Sequence, residues 1–212
     1  MNSVEDAIKA VEELRKRVSC LDEDAIDLLF REARTHNVWT DRPVTDEQIK
    51  TLYDLTINGA TSGNCLPARL VFCRSHEAKA RLTPCVNPGN VKKIEAAPLC
   101  VIIGYDVNFW EHLPRLFPHR DMGAQYREDA EHAETNAFRN STLQAAYLML
   151  GARALGMDIG AMSGFNNSAV DKEFFSGTTI RSNFLCNIGY GDPSGLFQKL
   201  PRFKFDEVCT VI

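Results

Sequence analysis

The sequence has no C-x-x-C pair, no H-E-x-x-H, no Walker sequence and no G-x-G-x-x-G following an N-terminal strand. These absences argue against a zinc site, a redox dithiol, a nucleoside-triphosphate fold and a classical dinucleotide fold. Gly189-Tyr190-Gly191 runs into Asp192-Pro193 with no helix to follow. The five histidines, His36, His76, His112, His119 and His132, lack a second ligand at helical spacing, so each reads as a surface or loop histidine and no metal is expected. No basic stripe is present either: 24 Lys and Arg are scattered among 28 Asp and Glu for a net charge of -4, which excludes the footprint of a nucleic-acid binder. No apolar run is of membrane-spanning character, and residues 1–20 mix Glu5, Asp6, Glu12 and Glu13 with Lys and Arg rather than forming a signal-peptide core. The expected compartment is the cytoplasm, with neither membrane nor nucleic acid as partner.

What is there is an ordinary globular composition, 44% apolar and 25% charged over 212 residues, enough for one domain that buries roughly 70% of its unfolded surface. Seven cysteines, an odd number, stand mostly in apolar runs where a thiol packs as a small hydrophobe. They read as reduced, and Cys65 is distinctive only because a polar cluster surrounds it.

Val4 to Arg17 and Asp24 to Arg34 carry apolar residues at helical spacing, and Thr45 with Gln48 forms a capping box for a helix ending near Asn58-Gly59. Strands are expected at 70–73, 99–103 and 185–190, with short helices over 75–82 and 90–96. A long helix over 128–155 turns from polar to apolar, as a core helix does. Pro114 and Pro118 break the period of residues 106–127 and predict a lid or loop excursion. The tail, residues 192–212, carries Phe197, Leu200, Phe203, Phe205, Val208 and Val211, which need a surface to cover them. A partner subunit is one such surface and the tail's own domain is the other.

Five polar clusters punctuate this framework: Arg34-Thr35-His36-Asn37, Thr61-Ser62-Gly63-Asn64, Asn90-x-x-Lys93, Met162-Ser163-Gly164-Phe165 and Pro201-Arg202. Guanidinium forks match phosphate oxygens, so Arg34 and Arg202, with Thr35 and Asn37, suit one phosphate. Asn64, Asn90 and Lys93 suit the carbonyls and N3–H of an isoalloxazine ring, and a lysine near its N1/O2 edge favours the reduced anion. Ser163-Gly164, ahead of a helix starting near Asn167, can present backbone N–H groups to a ligand. The order of residues there is not G-x-S-x-G, and no clear strand leads into it, so a serine hydrolase is not expected. Together the clusters read as a cradle for flavin mononucleotide (FMN).

These clusters, with Phe117-Pro118-His119, Phe138-Arg139-Asn140-Ser141 and Asn187-Ile188-Gly189-Tyr190-Gly191-Asp192, resemble the nitroreductase family over residues 24–212, and within it the malonic semialdehyde reductase branch of pyrimidine degradation. The resemblance implies an α+β, nitroreductase-like FMN-binding fold with a central mixed sheet flanked by helices, in an intertwined homodimer. It implies a single domain over 1–212 with a helical extension at 1–22 and a dimer-wrapping tail at 192–212. Arg34, Thr35, Asn37 and Arg202 then hold the phosphate; Asn90 and Lys93 meet the ribityl chain and ring; Ser163 and Gly164 lie at the ring edge; Thr61, Ser62 and Asn64 arrive from the second subunit. The implied reaction is ping-pong, with NADH or NADPH delivering hydride to the flavin and malonic semialdehyde then taking it to give 3-hydroxypropionate. Arg115, His119 and Arg120 are the candidate anchors for its carboxylate. The chain departs from the family pattern in having Asn37 where a second basic residue is usual, and Ser163 where an acidic one is. The alternative readings are a broad NAD(P)H nitroreductase or quinone reductase, and a non-catalytic flavin-binding protein.

Overall fold

The computed structural model describes residues 3–212. Helix α1 (Val4–Arg17) starts in a capping box, Ser3 accepting from the Asp6 N–H and Asp6 returning to the Ser3 N–H. None of its residues is buried, and its apolar face, including Val4 at 77% and Ile8 at 54% exposure, stands free. The second expected helix is shorter than its pattern. It comprises α2 (Glu23–Ile26) and a π-helical turn over Asp27–Arg31, where the Glu32 N–H reaches back to the Asp27 carbonyl at 2.9 Å and ends the helix. Residues 33–37 are therefore extended rather than helical.

The chain continues through α3 (Asp46–Thr56), β1 (Ala68–Cys73), α4 (His76–Leu82), α5 (Pro88–Ala96) and β2 (Leu99–Asp106). The predicted Thr45–Gln48 capping box opens α3. Residues 107–123 contain the short α6 (Leu113–Leu116), and α7 (Ala124–Glu128) leads into the 25-residue α8 (Ala130–Ala154). Then come β3 (Asp158–Met162), α9 (Asn167–Phe174), β4 (Ile180–Gly189) and α10 (Phe205–Val208). Sequence periodicity does not announce β3, whose Gly160-Ala161 centre lacks β-branched residues.

The four strands form one sheet in the order β1-β2-β4-β3, every neighbouring pair antiparallel. The parallel pairing of the expected mixed sheet is confined to a single bridge, Thr35 to Ile159, where the extended 33–37 segment lies beside β3. β2 is buried along its whole length. Its alternate side chains divide between two layers: Leu99, Val101 and Ile103 pack with Leu52 of α3 and Leu148 and Ala152 of α8, while Cys100 and Ile102 pack with Leu82, Ile94 and Val170 of α4, α5 and α9. One face of the polar half of α8 is also buried, because its side chains close the backbone of neighbouring elements. Asn140 accepts the Ser62 N–H at 2.8 Å, Gln144 accepts the Ala68 N–H at 2.9 Å, and Ser141 donates to the Gly104 carbonyl at 2.9 Å. No helix among the described residues is long and apolar enough to cross a membrane.

All seven cysteines are free thiols, five of them buried. Burial pushes the Cys73 thiol up to about 11 and the Cys186 thiol to about 12, so these groups are inert packing elements. Cys65 belongs with them: it is buried under the Thr61–Asn64 loop, Asn136 approaches its sulfur at 3.7 Å, and desolvation raises its pKa.

Candidate functional site

Arg34, Thr35, Asn37 and Arg202 line one cavity of about 590 Å³ between the π-helical turn and the tail. Among the described residues, no carboxylate lines it. The Arg34 guanidinium donates to the Phe197 carbonyl, and Arg202 donates to the carbonyls of Leu200 and Pro201 at 3.1 and 3.0 Å. The Arg34 bond holds the tail against the extended segment, and the Arg202 bonds, made within the tail, fix its own guanidinium at the same cavity. Arg153, which sequence reasoning passed over, lines it too. It is half-buried, donates to the Leu29 carbonyl at 3.1 Å, and burial lowers its pKa. The only signal it gives in the sequence is a single charge near the end of the small-residue half of α8.

The arm carrying these residues is clamped from behind. The His36 N–H donates to the Ile159 carbonyl at 2.9 Å, and strand alternation turns the His36 ring inward while Thr35 and Asn37 face outward. His36 is thus buried at 7% exposure rather than a surface or loop histidine. Its Nε2 lies 3.4 Å from one carboxylate oxygen of Asp158, whose other oxygen accepts the Gly191 N–H at 2.9 Å. The ring fits only because residue 191 has no side chain: a Cβ there would sit 1.8 Å from His36 Nδ1. Gly191→Ala is therefore expected to destabilise the fold by about 1–3 kcal/mol through overpacking, read as a lower urea midpoint at unchanged slope. An unchanged midpoint would show that the ring is free to move aside.

β3 delivers the next cluster. It ends at Met162, so a strand does lead directly into Ser163-Gly164, contrary to the sequence expectation. The Gly164 carbonyl accepts both the Asn90 side-chain amide at 3.0 Å and the Asn87 N–H at 2.9 Å. A Cβ at Gly164 would lie 2.8 Å from the Asn90 amide nitrogen. Asn90 and Lys93 are three residues apart on α5 and share a face of it. The Lys93 carbonyl accepts from the Asn187 amide at 2.9 Å, and Asn187 Oδ1 is buried without a hydrogen-bond partner. The structure thus ties α5, the end of β3 and β4 into one polar junction, with Ser163 itself exposed.

Thr61, Ser62 and Asn64 lie elsewhere. Their loop carries three residues at positive φ: Gly63 at 55°, Asn64 at 52° and Leu66 at 41°. This is a strained conformation for a leucine. The loop is held by the Asn140 bond to the Ser62 N–H, by Thr61 Oγ1 accepting the Leu66 N–H at 3.3 Å, and by Asn64 donating to the Leu116 carbonyl at 2.9 Å. None of the three lines the Arg34 cavity. The lid candidates also separate: Arg115 lines a second cavity of about 740 Å³, whereas Arg120 rests its Nε on the Met122 sulfur at 3.0 Å and His119 packs edge-on against Phe117.

The chain and its fold have counterparts among known proteins. The model of the nitroreductase family matches residues 31–190. A Burkholderia lata protein provisionally named NADH dehydrogenase/NAD(P)H nitroreductase is 55% identical over 194 residues, covering 92% of this chain and 100% of its own. A similarly named Ralstonia pickettii protein is 53% identical over 186 residues, covering 86% and 95%. Among solved structures, a nitroreductase family protein of Streptococcus pneumoniae superposes with a TM-score of 0.76 at 19% identity, over 87% of this chain and 98% of the other. A provisionally assigned nitroreductase of Exiguobacterium sibiricum in complex with FMN gives 0.78 at 18% identity, over 91% and 99%. At those identities the structures speak for the fold, and the sequence matches carry the assignment: the chain belongs to the nitroreductase family.

Proposed function

We propose that the protein is an FMN-dependent NAD(P)H oxidoreductase working as a homodimer in the cytoplasm, and that its acceptor is malonic semialdehyde, reduced to 3-hydroxypropionate. The observation that carries the flavin reading is the meeting of Arg34 and Arg202, from opposite ends of the chain, at one cavity without a carboxylate among the described residues. That donor set suits a phosphate dianion. Thr35 and Asn37 add hydroxyl and amide donors on the same side, and Arg153 adds charge from behind. Asn90, Lys93, Ser163 and Gly164 form the polar junction at the other end of β3 and are assigned to the ribityl chain and ring. FMN, when bound, supplies the transfer of hydride from NADH or NADPH to the acceptor. The chain's own residues bind and orient: the guanidinium groups fix the phosphate, the α5 face holds the ring edge, and residues 107–123 border the acceptor side.

Thr61, Ser62 and Asn64 are assigned to the cofactor of the second subunit, as the family resemblance implies; like Asn90, Lys93, Ser163 and Gly164, they do not line the Arg34 cavity. Two features support a dimer. The tail exposes Phe203 at 77%, Phe205 at 62% and Val208 at 62%, and β1 is an edge strand paired on one side only. Arg115, His119 and Arg120 remain the proposed carboxylate anchors, with Arg115 the one that borders a cavity.

The relatives' names favour a second reading, a broad NAD(P)H nitroreductase. Anaerobic NADH titration of the FMN-loaded protein tests what both share: stoichiometric flavin absorbance that bleaches is the expected result, and a colourless protein that ignores FMN overturns both. A kcat/KM for malonic semialdehyde below that for a nitroaromatic would favour the broad enzyme.

A further inference from the structure

Helix α1 stands ahead of residues 31–190, the part of the chain that the nitroreductase family shares. Its apolar side chains recur as heptads: Val4 and Val11, with Val18 at the C-cap, take one seam position, Ala7 and Leu14 take the other, and Ile8 widens the stripe. A stripe of this spacing is the seam of a helix pair. Every residue from 3 to 24 is exposed, so the chain's own body does not cover it. A lone helix of 14 residues is marginal in water and persists by packing its apolar face on something.

The charges select the occupant. Residues 3–17 hold four acidic and four basic side chains, and such a neutral face gives an anionic lipid surface no electrostatic hold. The charges are polarised along the helix, with Glu5 and Asp6 in the first turn and Arg15, Lys16 and Arg17 in the last. That order suits the helix dipole, and it makes α1 complementary to itself. Antiparallel pairing with a second α1 sets each acidic end beside the other's basic end, and a two-fold axis makes that contact twice. Parallel pairing sets like charges together at both ends. With Val4 level with the second copy's Leu14, and Ala7 with its Val11, Glu5 comes within one helical turn of the second copy's Arg15.

The helix also enters the body at the right place. Leu28 and Phe30, which follow it, are exposed, and Lys199 of the tail donates to the Arg31 carbonyl and lies 3.8 Å from Glu32. The segment carrying α1 therefore runs beside the tail whose exposed side chains support the dimer.

We propose that α1 is a self-association element that packs antiparallel on α1 of the second protomer and tightens the homodimer. The inference rests on the homodimer reading and adds to it a contact outside the cofactor site.

Sedimentation equilibrium of the FMN-loaded protein, from nanomolar to micromolar concentration, measures the effect. Val11→Glu with Leu14→Glu is expected to raise the dimer dissociation constant at least 10-fold, because glutamate opposes burial while remaining a good helix former. Glu5→Lys with Asp6→Lys makes both ends of α1 basic, and Arg15→Glu with Lys16→Glu makes both acidic. Each pair is expected to weaken the dimer at low salt, with the effect shrinking as salt rises. Mixed together, these two charge variants are expected to form the heterodimer in preference to either homodimer. That recovery separates lost pairing from an α1 that has merely unwound. Variants that all dissociate like wild type, or a mixture with no excess of heterodimer, overturn the proposal. Wild type that floats with phosphatidylglycerol vesicles, while the substitutions leave its dimer constant unmoved, assigns the face to a membrane and overturns it equally. If wild type is still a dimer in those cases, the homodimer reading stands and α1 alone falls; a wild type that is monomeric at every concentration removes both.

Discussion

An Arg34→Ala, Arg202→Ala double variant is expected to hold FMN about 10²- to 10⁴-fold more weakly than wild type, and to lose its flavin on gel filtration. Each guanidinium supplies charge-assisted hydrogen bonds, and a bond to a charged group contributes about 1.5–3 kcal/mol. Two lost together give the stated range, and the single variants should each fall near its square root. The carbonyl contacts to Phe197, Leu200 and Pro201 are lost as well, so part of the effect comes from a loosened tail. Arg31→Ala separates these contributions. Arg31 lines the same cavity, but its guanidinium is engaged by Glu23 at 2.5 Å and Asp27 at 3.2 Å. Its loss should change FMN affinity less than about 5-fold, as expected for an exposed, already paired charge. Fluorescence titration of apo-protein with FMN measures all five proteins. If the double variant binds like wild type, the cavity is not the phosphate site.

The parts of this fold that could be read from the sequence are those fixed by neighbours in the chain. The Thr45–Gln48 box and the α1 pattern are local, and both helices begin where their caps place them. β3 is invisible to periodicity because its Gly160-Ala161 centre is selected by close approach: a Cβ at Gly160 would stand 2.5 Å from the His36 carbonyl. The same packing explains why His36, polar and next to Arg34, is buried, since the room for its ring is made by Gly191, far away in the chain. The π-helical turn that shortens the second helix joins that group, its Leu29 and Arg31 carbonyls being taken by Arg153 and Lys199.

The site divides in the same way. Arg34, Thr35, Asn37 and Arg202 could be picked out by type because phosphate needs dense charge, and the fold brings all four to one cavity. Arg153 could not, because a lone arginine in an apolar helix has no pattern. The polar face of α8 was visible as polarity but not as purpose. Asn140 and Gln144 recur at helical spacing to satisfy the backbone at Ser62 and Ala68, which positions the strained loop between α3 and β1.

The tail carries the last large effect. Phe203→Asp with Val208→Asp is expected to raise the dimer dissociation constant at least about 100-fold, since burying each such side chain contributes about 1.5–3 kcal/mol and an aspartate in its place opposes burial. Phe203 at 77% and Val208 at 62% exposure make little contact with their own chain, so the substitutions should leave the packing of the body intact. Sedimentation at micromolar concentration reads the mass, and flavin absorbance across the same boundary reads the cofactor. The proposed site takes Thr61, Ser62 and Asn64 from the second subunit, so the monomer should also shed FMN even though Arg34 and Arg202 are unchanged. A variant of wild-type mass would remove the tail from the interface. A wild-type protein that sediments as a monomer with flavin tightly bound would remove the dimer itself and would require Thr61–Asn64 to act within their own chain, where they stand outside the Arg34 cavity.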